Sequence, residues 1–194
     1  TFVREAGAHA FRVHIIAETS EQLQAIIEDQ LVRADLIVIS GESKDESFDL
    51  ITSVISKLGE ITTVTPNLAE SGKHNYGLIG PDKTPVVTLP GDPIGNYLSA
   101  ELFIRPMILK MLAKSEIYRP GKKAKLSKAV SSTPGKSSYV RATINEDGQA
   151  VALGDQDLIS TLSNATCLIS LGEKIEKIAA GESVNLVMIN QVQS

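Results

Sequence analysis

Two textures of hydrophobic and polar positions divide the chain. Up to Ala113, apolar stripes of helical period alternate with short apolar runs; beyond Lys123 the runs are short and alternate only weakly. Thr1 to Gly7 reads as the last turns of a helix stopped by glycine. Phe11–Ile16 reads as a strand. Thr19, with Gln22 three residues on, predicts a capped helix whose face carries Leu23, Ile26, Ile27, Leu31 and Ala34. Leu36–Ile39 is a continuous apolar run of the kind a parallel sheet buries on both faces. A polar loop, Ser40–Ser47, should follow. After it comes a helix with Ile51, Val54, Ile55 and Leu58 on one face, stopped at Gly59. Ile61–Val64 is a further strand. Tyr76–Ile79 and Pro85–Leu89, around Gly80-Pro81-Asp82-Lys83, predict a hairpin. Ile94–Ala113 is a long, densely apolar helix.

Short loops between alternating strands and helices imply an α/β fold: a three-layer α/β/α domain with a mostly parallel sheet, spanning residues 1–115. Lys114–Lys123, with Pro120-Gly121, is the expected linker. Residues 122–194 should then form a small β-barrel-like domain. Its strands are Ala124–Val130, Ser137–Ile144, Gln149–Leu153, Cys167–Leu171 and Ser183–Ile189, with a hairpin turn at Asn145-Glu146-Asp147-Gly148 and one or two helical turns within Leu158–Ala165.

Composition narrows the function classes. A net charge of -4 and a pI near 5.4 give no global basic field for nucleic acid. No apolar run is long enough to span a bilayer, so membrane insertion is not expected. Cys167 is the only cysteine, which excludes an internal disulfide and makes a reducing, cytoplasmic setting the simpler expectation. It sits in an apolar strand and reads as inert core. The chain begins at Thr1 as if inside a helix, which suggests a piece of a longer protein.

His9, His14 and His74 are scattered and build no zinc site with one cysteine; His14, alternating with apolar neighbours, reads as a sheet histidine. No nucleophile elbow, Walker loop or dinucleotide fingerprint occurs. Lys122, Lys123, Lys125 and Lys128 cluster without interleaved aromatics, a pattern that protects an edge strand better than it grips nucleic acid. Three loops carry more promise. Ser40–Asp49 is acidic and follows a predicted strand, where carboxylates could hold Mg²⁺; a merely solvated loop is the alternative. Gly72-Lys73 could approach a phosphate. Leu89-Pro90-Gly91-Asp92-Pro93 turns a strand into a helix, and backbone N–H groups at a helix start suit an anion, although a rigid corner without ligand satisfies the same pattern.

The wider stretch, Leu89–Pro93 followed by Ser99–Pro106, resembles the molybdopterin molybdenumtransferase family, which includes gephyrin. That family writes L-P-G-N-P and then a helix ending near V-R-P; here Asp92 stands where Asn is usual. Its S-G-G-V-S-x-G-x-x-D runs without a gap along Ser40–Asp49. Ser40, Gly41 and Asp49 match, while Glu42, Lys44 and Glu46 replace Gly, Ser and Gly. Its K-P-G-K-P falls on Glu70-Ser71-Gly72-Lys73-His74, keeping the second lysine. Tyr139-Val140-Arg141 and Ser160-Thr161-Leu162 followed by Leu168-Ile169 fit the β domain. The resemblance covers nearly the whole chain but only about the C-terminal half of a family member.

It implies a MogA-like α/β domain and molybdenum cofactor biosynthesis: transfer of molybdenum from molybdate to adenylylated molybdopterin, with Mg²⁺. By position, Asp49, Glu18 and Lys73 would be catalytic, with Asp49 and Glu18 handling metal or molybdate. Ser40, Gly41, Gly72, Lys73, Pro90, Gly91 and Pro93 would bind the cofactor. The full-length protein would be a homodimer, and this portion alone would lack a complete active site. Glu42, Glu46 and Glu70 add negative charge where the family handles anions, so the resemblance also allows a degenerate, gephyrin-like scaffold. Such a scaffold would bind a partner protein, for example a cell-division or membrane-associated one, at the junction of the two domains.

Overall fold

The computed structural model describes residues 2–14, 19–41, 45–154, 156 and 159–189. It divides into two compact units, Thr1–Pro66 with Ser71–Ile104, and Asn67–Glu70 with Arg105–Ser194.

The first unit opens with a short helix, α1 (Phe2–Glu5), and then α2 (Ser20–Leu31). Thr19 caps α2 as its sequence predicts, its hydroxyl oxygen accepting the Gln22 N–H at 3.3 Å. Leu23 and Ile27, four residues apart on one face, are buried. The strand expected over 11–16 is not formed at Phe11–His14: Phe11 is exposed under the Arg33 guanidinium, and His14 is exposed outside any strand. Ile15 and Ile16 lie outside the described residues.

Next come β1 (Ile37–Ser40), α3 (Asp45–Leu58), β2 (Gly59–Val64), β3 (His74–Ile79) and β4 (Thr84–Leu89). Helix α3 starts two residues before the end of the expected polar loop. It buries Ile51, Val54 and Ile55 against Leu23 and Ile27 of α2 and against Ile37, Ile39, Ile79 and Val86 of the sheet. The strand order is β1-β4-β3-β2. Only β1 and β4 are parallel; β4 with β3 and β3 with β2 run antiparallel.

This overturns the expected three-layer α/β/α, MogA-like domain with a mostly parallel sheet. The cause is connection length. Strands β3 and β4 are joined by the tight turn at Gly80–Lys83, and β2 reaches β3 with no intervening helix. A parallel crossover needs a dozen or more residues, so three of the four strands can only meander. The outer face agrees: Val38, Tyr76 and Leu78, which two enclosing helical layers would bury, are 36%, 49% and 47% exposed. Strands β2 and β3 also approach unusually closely. A Cβ at Gly77 would stand 2.0 Å from the Glu60 carbonyl oxygen, a space only glycine leaves.

The predicted long helix is present but not uniform. It runs as α4 (Pro93–Ser99), a π turn (Ala100–Ile104) and α5 (Arg105–Met111). The wider π turn directly precedes the turn holding Pro106, which has no N–H to donate and whose ring crowds the carbonyl four residues back.

The second unit begins in α5. Its strands are β5 (Gly121–Lys125), β6 (Val130–Ser131), β7 (Ser138–Ile144), β8 (Ala150–Ala152), β9 (Cys167–Leu171), β10 (Lys177–Ile178) and β11 (Ser183–Met188), with α6 (Ser160–Asn164) between β8 and β9. Strand β5 starts inside the stretch expected to be linker. Five strands form an antiparallel sheet in the order β5-β11-β9-β7-β8, and β10 pairs with β6. The sheet curls until Leu126, just past β5, bridges Ala150 of β8, where Ser127 N–H donates to the Ala150 carbonyl at 2.9 Å. This bridge makes the sheet a half-barrel. It encloses Leu126, Val140, Ala142, Cys167, Ile169, Leu171 and Leu186. Cys167 is fully buried, and burial pushes its thiol pKa up, so it behaves as core. The turn at Asn145–Gly148 forms as predicted, with Gly148 at φ +75 and Asn145 N–H donating to the Gln149 carbonyl at 3.0 Å.

Candidate functional site

Sheet register decides which loops meet in the first unit. Ser40, the last residue of β1, is opposite Leu89, the last of β4. Strand β3 runs against β4, with Tyr76 opposite Val87, so its first residue, His74, enters at that same edge. The segments Ser40–Gly41, Gly72–Lys73 and Pro90–Gly91 therefore share one sheet edge. A Cβ on Gly72 would lie 3.7 Å from Pro90 Cβ, which places these two loops in near contact. Gly41 sits against α3, where a Cβ would be 3.2 Å from Ile51 Cδ1. Lys73 Nζ stands 5.8 Å from the ring centre of Phe48 on α3, a cation–π distance.

Of the residues singled out in sequence, Ser40, Gly41, Gly72, Lys73, Pro90, Gly91 and Pro93 gather at or beside this edge. Asp49 lies on α3 next to Phe48 and is exposed. Glu46 is exposed on the first turn of α3. Glu18, Glu42 and Lys44 lie outside the described residues, and Glu70 belongs to the second unit. Among the described residues no group of three or more His, Cys, Asp or Glu could hold a metal ion. Of the two carboxylates expected to handle a metal, Asp49 is the one among the described residues, exposed on α3.

The turn at Leu89–Pro93 uses its helix N-terminus in a way the sequence reading did not foresee. Asp92 is the N-cap of α4. Its carboxylate accepts the Ile94 N–H at 3.1 Å and the Gly95 N–H at 2.7 Å, and Pro93 fills the first helical position. The anion at this helix start is the chain's own side chain. Asn96 ties the turn further, its amide donating to the Pro90 carbonyl at 3.0 Å.

The sequence reading also missed a buried polar network behind the edge. His74, not His14, is the sheet histidine, and it is 3% exposed. Its Nδ1 lies 3.0 Å from the Thr88 carbonyl oxygen. A carbonyl only accepts, so Nδ1 carries the proton. Nε2 is then free to accept from the Ser71 hydroxyl at 2.9 Å, with Ser99 Oγ at 3.4 Å. The Phe103 ring meets the imidazole edge-on at 5.8 Å. Burial lowers the His74 pKa below its ordinary 6.5, against the raising effect of the Thr88 carbonyl.

Asn75, fully buried, is wired as completely. Its N–H donates to Thr88 Oγ1 at 2.7 Å, its amide donates to Thr52 Oγ1 at 2.7 Å, and its amide oxygen accepts from the Thr63 hydroxyl at 2.6 Å. The Thr52 hydroxyl in turn donates to the Phe48 carbonyl at 2.8 Å, fixing the helical turn that carries Phe48. Thr88 and Thr52 are polar residues within apolar runs, which is the signal a buried network leaves. Ser71 and His74, which bond each other, stand where the resembled motif has prolines.

In the second unit Arg141 is 1% exposed. Its Nε–H donates to Thr161 Oγ1 at 2.9 Å, and its guanidinium also donates to the Gln156 carbonyl. The matched Tyr139–Arg141 and Ser160–Leu162 stretches thus meet as structure.

Comparison with known proteins agrees with this architecture. The family model for the MoeA C-terminal region (domain IV) matches residues 123–189. Molybdopterin molybdenumtransferase 1 of Mycobacterium tuberculosis (strain CDC 1551 / Oshkosh) is 29% identical over 97% of this chain, which spans 46% of that relative's length. Gephyrin of Dictyostelium discoideum is 23% identical over 94% of this chain and 29% of its own. The crystal structure of the molybdopterin biosynthesis MoeA protein from Pyrococcus horikosii superposes with a TM-score of 0.72 at 26% identity, covering 88% of this chain and 41% of that one. In sequence and in fold, then, the chain is similar to the C-terminal half of the molybdopterin molybdenumtransferases, the family that the Leu89–Pro93 turn and its neighbours first pointed to.

Proposed function

We propose that this chain supplies the C-terminal half of a molybdenum-inserting protein in molybdenum cofactor biosynthesis. Its substrates would be molybdate and adenylylated molybdopterin. The observation that carries the reading is the register: Ser40 opposite Leu89, with Gly72 against Pro90, gathers the three loops at one strand end. Strands β1 and β4, the parallel pair of an otherwise antiparallel sheet, both end there, and the carboxyl ends of parallel strands are where ligands commonly bind. In this reading Lys73 contacts the anion, while Ser40, Gly41, Gly72, Pro90, Gly91 and Pro93 shape the floor. By their positions in the resembled motif, Asp49 and Glu18 would handle the metal or molybdate. Mg²⁺, when bound, would be held mostly by substrate oxygens with one or two carboxylates, as that ion prefers. A cytoplasmic homodimer is the setting that accompanies this reading.

Charge favours a second reading. The first unit counts 14 Asp and Glu against 7 Lys and Arg, a formal -7; the second counts 9 against 12, a formal +3. The unit holding the candidate anion site is thus the acidic one, and Asp92 already occupies its helix start. A scaffold that binds a partner protein needs no anion pocket and tolerates this field. Titration of molybdate and adenylylated molybdopterin into the full-length protein, with and without Mg²⁺, separates the two. The transferase reading expects binding that Lys73→Ala abolishes. No binding of either anion, while a partner protein still binds, supports the scaffold.

A further inference from the structure

The Ser71–His74 pair has the outline of a nucleophile and its base. The hydroxyl lies 2.9 Å from Nε2, and the other ring nitrogen is oriented by a carbonyl. Burial argues for a different role. The imidazole is 3% exposed, walled by Phe103, and Nε2 also has Ser99 Oγ at 3.4 Å. A base sealed in this way cannot pass its proton to a leaving group. What it can do is hold a turn.

His74 follows Lys73 directly in the chain, and Ser71 precedes it by two residues. The imidazole bonds forward to β4 through the Thr88 carbonyl, and back to the turn through the Ser71 hydroxyl. The turn that carries Lys73 is therefore closed by a hydrogen bond across its ends and anchored to the strand whose exit is the Pro90–Gly91 corner. We propose that His74 is a positioning residue for Lys73: its neutral imidazole pins the Ser71–Lys73 turn to β4 and so sets where the Lys73 ammonium stands for an oxyanion such as molybdate. The proposal rests on the reading that Lys73 contacts that anion.

The test uses the full-length protein whose C-terminal half this chain is proposed to supply, with molybdate as the probe, followed by calorimetry and by ¹⁵N spectra of the imidazole. Lys73→Ala tests the underlying reading and should remove binding. Ser71→Ala removes only the contact to the turn, at a half-buried position. It should weaken molybdate binding by roughly five- to tenfold, the factor of one hydrogen bond, while the protein still unfolds cooperatively with a modestly lower midpoint, Ser99 Oγ remaining 3.4 Å from Nε2. His74→Leu should weaken binding at least as much, and His74→Gln, which keeps a polar group, should recover part of it. The imidazole of the unsubstituted chain should show the Nδ1-protonated neutral form, and Ser71→Ala should shift the Nε2 resonance alone. If Lys73→Ala abolishes binding while Ser71→Ala and His74→Leu bind as the unsubstituted chain does, the positioning role is overturned and the Lys73 reading stands. If the unsubstituted chain binds no molybdate, or Lys73→Ala binds normally, the anion-site reading falls and takes this proposal with it. Should His74→Leu not fold, Ser71→Ala decides alone.

Discussion

Replacing Asp92 by Asn separates two roles of one carboxylate. As N-cap it accepts the N–H groups of Ile94 and Gly95 at 3.1 and 2.7 Å. Asn caps helices about as well as Asp in general, but it offers one accepting oxygen where this carboxylate uses two, so Asp92→Asn should lose the charge's attraction to the helix dipole, about 0.5 kcal/mol, together with the longer of the two cap bonds. Asp92→Ala should lose the cap as well, about 1 kcal/mol or somewhat more. As a charge, the carboxylate opposes any anion at the strand edge. For a dianion such as molybdate taken to sit about 6 Å away, the repulsion is about 1.4 kcal/mol in bulk water and about 5.5 kcal/mol at an effective dielectric of about 20. Removing it should tighten molybdate binding by at least about tenfold, and by up to about ten-thousandfold if the site is poorly solvated. Calorimetric titration reads the affinity, and denaturant unfolding of each variant reads the cap. Affinity unchanged in Asp92→Asn would refute the electrostatic part. A loss of stability in Asp92→Asn as large as in Asp92→Ala would refute the capping part.

Two further outcomes follow from buried features. Gly77→Ala drives a Cβ to within 2.0 Å of the Glu60 carbonyl and 2.7 Å of Ile61 Cδ1, so β2 and β3 must separate; urea unfolding should show a loss of more than about 2 kcal/mol, and a smaller one would mean the strands move apart freely. The lowered His74 pKa gives a signed pH dependence: the unfolded chain takes up the proton more readily, so this stability is complete above pH 6.5 and is lost as the pH falls from there toward the lower folded-state value. Unfolding midpoints at pH 7.5 and 5 should differ less in His74→Gln than in the unsubstituted chain, and an equal difference would show that His74 is not the group responsible.

What could be read from the sequence was local. Thr19 as cap, the Leu23–Ile27 stripe, the Gly80–Lys83 turn and the Asn145–Gly148 turn each rest on residues within a few positions of one another. Strand direction does not. The run Leu36–Ile39 looked like a strand buried on both faces, yet Val38 is 36% exposed, because apolar content alone does not say how many layers cover a sheet. The antiparallel placement of β3 between β4 and β2 was implied by the very hairpin turn that was recognised, but alternation with helices outweighed it. The three loops of the candidate site were found in sequence because each follows or precedes a strand. The capping role of Asp92 was missed although Asp before Pro at a helix start states it plainly. His14 stands among apolar neighbours and His74 between Lys73 and Asn75, yet it is His74 that is buried, because long-range packing and not local context decides.

The wiring of Asn75 constrains how this protein can change over generations. Its polar atoms are shared with Thr88, Thr52 and Thr63, and through Thr52 with the backbone at Phe48. A substitution at any one of these positions strands a buried donor or acceptor on another, at a cost of about 1–3 kcal/mol. Replacing the set together with apolar residues of similar shape need not carry that cost. The route from one state to the other therefore crosses a valley, and the four positions should show strong epistasis, with single changes purged and only concerted ones tolerated.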